Sequence, residues 1–186
     1  MVDASVHAPV QVPAYTVTAR VLHWLTAVLV LIQAPLGIII SNVEMGGWGD
    51  ALFNLHKSIG ATLIPVVLLR LIWRFTHPPL PLPEDIPEAQ RRIAEFVHWG
   101  LYGLLLVQGI IGWIATSAYP APVPVFGLFE LPAIWSENRA LSDQLYTVHR
   151  YLGIALVILV AGHAGAALQH HFIRKDRVLM RMITGG

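Results

Sequence analysis

The sequence has no cysteine among its 186 residues, only 12% charged residues, and no dense basic patch. Each shortage excludes something. Without thiols there are no disulfides, iron–sulfur clusters or thiolate-bound metals, which leaves histidine as the strong soft-metal ligand in quantity. Twelve Lys and Arg against 11 Asp and Glu, a formal net charge of +1, give no footprint for nucleic acid. The N-terminus, Met1 to Ala19, has no basic segment ahead of an apolar run and no cleavage site, so it reads as a short, poorly ordered cytoplasmic tail. What is plentiful is apolar: 55% of residues are hydrophobic and the mean hydropathy is +0.62, more than a soluble domain this short can bury. The solvent is therefore expected to be the bilayer.

Spanning a hydrocarbon core takes about 20 mostly apolar residues per helix. Four stretches qualify: Val21 to Ile40, Leu55 to Trp73, Val97 to Thr116 and Val148 to Leu168. The expected fold is all-α, a single transmembrane domain over residues 1–186 forming an antiparallel four-helix bundle. The first connection, Ser41 to Asp50, is a short Gly-rich turn, and the second, His77 to Glu95, is charged and proline-rich. The third, Ser117 to Tyr146, is long, and its Phe126, Phe129 and Trp135 suit a loop or short helix in the membrane interface. Arg20, Arg70, Arg74, Arg91, Arg92, Arg174, Lys175, Arg177 and Arg181 fall on one side of this topology, and only Lys57, Arg139 and Arg150 on the other. That asymmetry places both termini in the cytoplasm.

An ionisable side chain inside a span costs on the order of a few kcal/mol unless it is partnered, so the histidines there are read as functional. His23 lies near the cytoplasmic start of the first span, His56 near the outer start of the second, and His149 near the outer start of the fourth. His163 follows His149 by 14 residues, nearly four turns, which puts both on one face about 21 Å apart. Topology then partners His149 with His56 at the outer level and His163 with His23 at the inner one. Two imidazole pairs at two depths suit two b-type haems, because low-spin haem iron takes one imidazole on each axial face and the apolar bundle buries the macrocycle. An interhelical hydrogen bond is the commoner role of a lone membrane histidine, but four at matched depths on three helices outweigh it. Two sites about 20 Å apart with no carboxylate near either pair do not resemble a zinc or di-iron cluster. The spacing His-x-x-x-Gly recurs, as His56 to Gly60 and His149 to Gly153. A glycine one turn from an axial ligand leaves room for flat porphyrin, although glycine also packs membrane helices closely.

Several segments together carry a family resemblance. They are Arg20-Val-Leu-His-Trp24, Leu55-His-Lys-Ser-Ile-Gly60, Val97-His-Trp-Gly-Leu-Tyr102 and Val148-His-Arg-Tyr-Leu-Gly153, then Gly162-His163, Gln169-His-His-Phe172, Arg174-Lys-Asp-Arg177 and Leu179-Met-Arg-Met182. In order and spacing, from about Tyr15 to Met182, the chain resembles the prokaryotic cytochrome b561 family of four-helix, dihaem, multi-pass proteins of the bacterial inner membrane. The resemblance implies iron ligation by His23, His56, His149 and His163. It also implies superoxide oxidase activity, with superoxide giving its electron to haem and ubiquinone as final acceptor. An anionic substrate needs a positive approach, and Lys57 and Arg150 each directly follow an outer ligand; neutralising haem propionates or marking the interface is their alternative use.

His170, seven residues past His163, and His98, at the start of the third span, are candidates to bind a quinone carbonyl and deliver protons; solvated interfacial histidine is the plainer role for both. His171, His7 and His77 read as bland, and Gln108 as an interhelical hydrogen-bonding residue. Beside the enzyme stands a second reading, a non-catalytic cytochrome b subunit or anchor that passes electrons between quinone and a periplasmic dehydrogenase or cytochrome. The acidic third loop, with Glu130, Glu137 and Asp143, would be its docking surface, and that acidity slightly disfavours superoxide. A haem-free transporter lacks support, since no inverted repeat of broken helices is visible. Expected partners are therefore membrane lipid, ubiquinone, and superoxide or a periplasmic protein, with a homodimer permitted.

Overall fold

Helices form over all four apolar stretches, and each runs past the hydropathic span into polar sequence. The structure, a computed structural model, describes residues 14–43, 46–82 and 85–185. Helix α1 covers Val17–Asn42 and opens on Thr16, whose hydroxyl accepts from the Ala19 N–H at 3.2 Å. A single 3-10 turn at Gly46–Trp48 leads into α2, Gly49–Thr76. Helix α3, Glu88–Ala118, begins immediately after Pro87, where the fixed proline φ pre-sets a helix entry. Helix α4, Arg139–Gln169, is capped by the Asn138 side chain, which accepts from the Leu141 N–H at 3.0 Å. The added turns hold groups that hydropathy scores against a span, such as the Glu88–Arg92 ion pair one turn apart in α3. Pro35 and Pro65 lie inside α1 and α2.

Two expectations for the connections need correction. The expected tail is helical from Val17, and Tyr15 is half-buried, while Met1 to Pro13 lie outside the described residues. The third connection is neither plain loop nor short helix. It contains an antiparallel hairpin, β1 (Val123–Val125) paired with β2 (Phe129–Leu131), with Val123 opposite Leu131. Its turn bonds Leu128 N–H to the Val125 carbonyl, with Phe126 at φ 51° and Gly127 at φ 71°. Two successive positive φ values give a turn twist that matches paired strands, and glycine at the second position makes it accessible. Buried Ser58 of α2 pins the hairpin: its hydroxyl donates toward Pro124 O at 2.9 Å and accepts from Phe126 N–H at 3.0 Å.

At the far end, α4 widens into a π-helical turn, His170–Arg174, and the chain reverses at Lys175 (φ 57°). Helix α5, Val178–Ile183, then folds back over the start of α1. Arg20 donates to Ile183 O and Trp24 Nε1 to Met182 O, both at 3.0 Å.

Helices α1 and α2 pack together, as do α3 and α4; α2 joins α3, and α4 closes more loosely on α1. One layer in mid-bundle takes a buried apolar residue from each long helix: Val30, Leu63, Leu105 and Leu156. Lipid tails are as apolar as these residues, so close packing rather than water exclusion holds the layer. At Gly109 the approach is tight enough that a Cβ would lie 2.6 Å from Ile64 Cγ1. The outer faces are apolar too, with Leu31 65% and Ile158 67% exposed, which suits a hydrocarbon surround.

Candidate functional site

On either side of the central layer stands a pair of imidazoles. His56 of α2 and His149 of α4 form the upper pair, at the hairpin end, with ring centres 6.2 Å apart and planes at 80°. His23 of α1 and His163 of α4 form the lower pair, at the end shared by both termini, with centres 6.3 Å apart and planes at 67°. An iron–imidazole bond of about 2 Å on each side, added to two ring radii, separates two axial ring centres by about 6 Å. Both pairs have that separation.

The surroundings of the upper pair are built twice. Gln33 Nε2 donates to His56 O and Gln108 Nε2 donates to His149 O, each at 3.0 Å. Gln108 is thus a cross-helix hydrogen-bonding residue, and Gln33, which the sequence reading passed over, is its counterpart. A Cβ on Gly37 would lie 3.2 Å from His56 Cε1, and one on Gly112 the same distance from His149 Cε1. Those two glycines make the room for the rings. Gly60 and Gly153, expected to clear space for porphyrin, instead face the two glutamines: a Cβ there would meet Gln33 Nε2 at 3.2 Å and Gln108 Nε2 at 3.0 Å. The Nδ1 atoms of His56 and His149 are buried with no hydrogen-bond partner among the described residues. Two buried imidazoles with ring centres 6.2 Å apart, each with an unbonded Nδ1 and a glycine against the ring, fit axial ligation of b-type haem.

The lower level is more crowded. Arg70 Nη2 donates to His23 Nδ1 at 2.7 Å, and the His98 ring centre lies 5.2 Å from that of His163. Arg70 and Arg74 both approach the Tyr102 ring, at 5.3 and 5.7 Å, and Arg74 also faces Trp99 at 5.1 Å. Tyr15 closes this region; burial raises its phenol pKa against the opposing fields of Arg74, Arg181 and Arg70.

The remaining candidates separate. Lys57 lines an open cavity of about 460 Å³ beside Asp50, Asn54, Tyr119 and Tyr146, and its Nζ donates to Pro122 O at 2.8 Å. Arg150 reaches the other way, donating to Asn42 Oδ1 at 3.2 Å. The two cations flank the upper pair rather than converge. His98 and His170 likewise take different partners, His98 the His163 ring and His170 the Asp176 carboxylate. Burial works to raise Asp176, but the bonds from His170 and the Val178 N–H, with the His170 and Arg174 charges, outweigh it and hold the carboxyl below its ordinary value. His171 sits edge-on to Phe172, His77 stacks on Trp73 at 3.9 Å, and His7 lies outside the described residues.

The family model described as prokaryotic cytochrome b561 matches residues 14–185. Over 171 residues the chain is 37% identical to cytochrome b561 homolog 2 of Escherichia coli K12, covering 91% of this chain and 90% of the relative. It is 27% identical over 167 residues to the probable superoxide oxidase CybB of Yersinia pestis, covering 87% and 91%. To cytochrome b562 of Cereibacter sphaeroides it is 28% identical over 181 residues, covering 93% and 97%.

Proposed function

Because the chain belongs to the prokaryotic cytochrome b561 family of haem-binding, multi-pass membrane electron-transfer proteins, we propose that it is a dihaem superoxide:ubiquinone oxidoreductase. The observation that carries this reading is the stacking of two histidine pairs, 6.2 and 6.3 Å between ring centres, on opposite sides of one apolar layer. His56 and His149 hold the upper haem and His23 and His163 the lower. Bound there, b-type haem supplies one-electron storage at two depths, so that charge crosses a bundle whose own side chains are redox-silent.

The upper end faces the periplasm. Lys57, in its open cavity, and exposed Arg150 set a positive field beside the upper ligands, which attracts superoxide against the nearby Asp50. Two superoxide anions each give up one electron and leave as dioxygen. One ubiquinone takes both electrons, with two protons, at the lower end, and His98 and His170 are the imidazoles to which we assign its binding and protonation, imidazole being able to hold or release a proton near neutral pH. Support for superoxide as donor comes from the named activity of the Yersinia relative and from these cations.

A periplasmic protein as electron donor is the second reading. It is favoured by the exposed hairpin, where Phe126, Leu128 and Phe129 stand beside Glu130. A superoxide pulse delivered to the purified protein freed of quinone, so that electrons accumulate on the haem, separates the two in a stopped-flow spectrometer. Haem reduction within the pulse is expected; a spectrum that stays oxidised while dithionite still reduces it would leave only the conduit.

A further inference from the structure

The two helix pairs are sequence-related halves. His23, Gln33 and Gly37 of α1 recur 75 residues later as His98, Gln108 and Gly112 of α3, and His56 and Gly60 of α2 recur 93 residues later as His149 and Gly153 of α4. Even the central layer obeys these offsets, Val30 with Leu105 and Leu63 with Leu156. Applied to the lower level, the same 93-residue offset matches Arg70 to His163. Contacts follow the match: Arg70 touches His23 in one half as His163 touches His98 in the other. The upper pair is thus made of equivalent residues, whereas the lower pair, His23 with His163, is made of inequivalent ones. Its counterpart would be His98 with Arg70, and arginine, always protonated, is no iron ligand. One arginine therefore stands at a ligand position, at ligand depth.

Arg70 has only donors, so its bond to His23 requires an unprotonated Nδ1 and places the ring proton on Nε2. That bond cannot survive iron ligation by neutral imidazole. If Nδ1 takes the metal, its lone pair is used; if Nε2 does, the proton moves to Nδ1 and donor faces donor. Arg70 then keeps only the neutral Tyr102 hydroxyl as a side-chain acceptor, and among the described residues neither Arg70 nor Arg74 forms an ion pair. An unpaired guanidinium at this depth is costly. What arrives with the iron is a macrocycle bearing two carboxylates, whose geometry the guanidinium fork matches.

Resting on the haem reading above, we propose that Arg70, with Arg74 one turn further along α2, is the carboxylate receptor of the lower haem site. Arg70 exchanges His23 Nδ1 for a propionate as that histidine takes up iron. The duplicated ligand position has become an anion site, which also limits the lower level to a single haem.

The test loads full-length protein, produced without haem, with either haem b or its dimethyl ester, and follows each level separately; the lower signal is the one absent in His163→Ala. In the wild type, the ester should bind the lower level at least about tenfold more weakly than haem b. Arg70→Gln should lose most of that discrimination and lower the midpoint potential of the lower haem, because a cation beside it favours the reduced state. Arg70→Lys should retain part of both. Equal binding of haem and ester at the wild-type lower level would overturn the proposal, as would an Arg70→Gln protein with unchanged discrimination. Should Arg70→Gln fail to fold, judged by loss of the upper haem spectrum, the wild-type comparison decides alone. Failure of wild type to bind haem at either level would instead refute the dihaem reading.

Discussion

A single methyl group at Gly112 probes the upper pair at its closest approach. Gly112→Ala would set a Cβ 3.2 Å from His149 Cε1, tighter than ordinary van der Waals contact, so the ring must turn or retreat by a few tenths of an ångström. A displaced upper haem absorption band is expected, with the lower one unmoved; Gly103→Ala, whose Cβ would meet nothing within 4 Å, should leave both spectra intact. Removing the ligands is the blunter measurement. His149→Ala should reduce pyridine haemochrome from two haems per chain to one by emptying the upper level, and His163→Ala should do the same at the lower; loss of both haems from either change would contradict two independent levels. The histidines were legible in the sequence because ionisable groups in apolar runs stand out. Gln33 and Gly37 were not, since nothing in α1 alone marks them, and Arg70, a charge inside the second apolar run, was read only as a sign of the cytoplasmic side. Only the 75- and 93-residue offsets, compared across both halves, carry that signal.

Among the elements, the four spans were readable as apolar runs but their ends were not, because Glu88 to Arg92 and Arg139 to Tyr146 continue their helices through polar sequence. The hairpin was hidden for another reason. Its turn uses Phe126 and Gly127 at positive φ, where asparagine or aspartate before glycine is the usual signal, and β1 is three residues interrupted by Pro124. The return of α5 was equally unannounced, and it rests on few contacts, one of them between His170 and Asp176, whose side chain is 17% exposed. Asp176 has its carboxyl pKa depressed in the folded chain. Its contribution is therefore complete above the unfolded value near 3.8 and lost as pH falls through the lower folded value. Hydrogen-exchange protection over Val178–Ile183, corrected for intrinsic rates, should stay level from pH 7 to pH 5 and decline below about 4. Asp176→Asn keeps an acceptor for the Val178 N–H but not the charge. It should show reduced protection already at pH 7 and little further loss in acid; an unchanged acid decline in that variant would show that another carboxylate governs α5.

For the whole molecule, the direction of electron flow depends on which end of the bundle faces the periplasm. Nine of the 12 Lys and Arg residues lie toward the lower end, including Arg20, Arg174 and Arg181 in or beside α5 and Arg74 against Trp99 and Tyr102 of α3. Such cations resist translocation, so the lower end should stay in the cytoplasm. The absence of native cysteine makes this directly measurable, because each introduced cysteine is then the sole thiol in the protein. Glu130→Cys places it on the exposed hairpin at the upper end, and Arg177→Cys on the exposed reversal before α5 at the lower. A membrane-impermeant maleimide added to intact spheroplasts should label Glu130→Cys, and should reach Arg177→Cys only after the membrane is opened. The opposite pattern would put Lys57 and Arg150 in the cytoplasm, out of reach of a periplasmic anion, and would move the arginine cluster of the lower haem site to the outer face. Superoxide oxidation by the upper pair would then fail on topology alone, whatever the haem content.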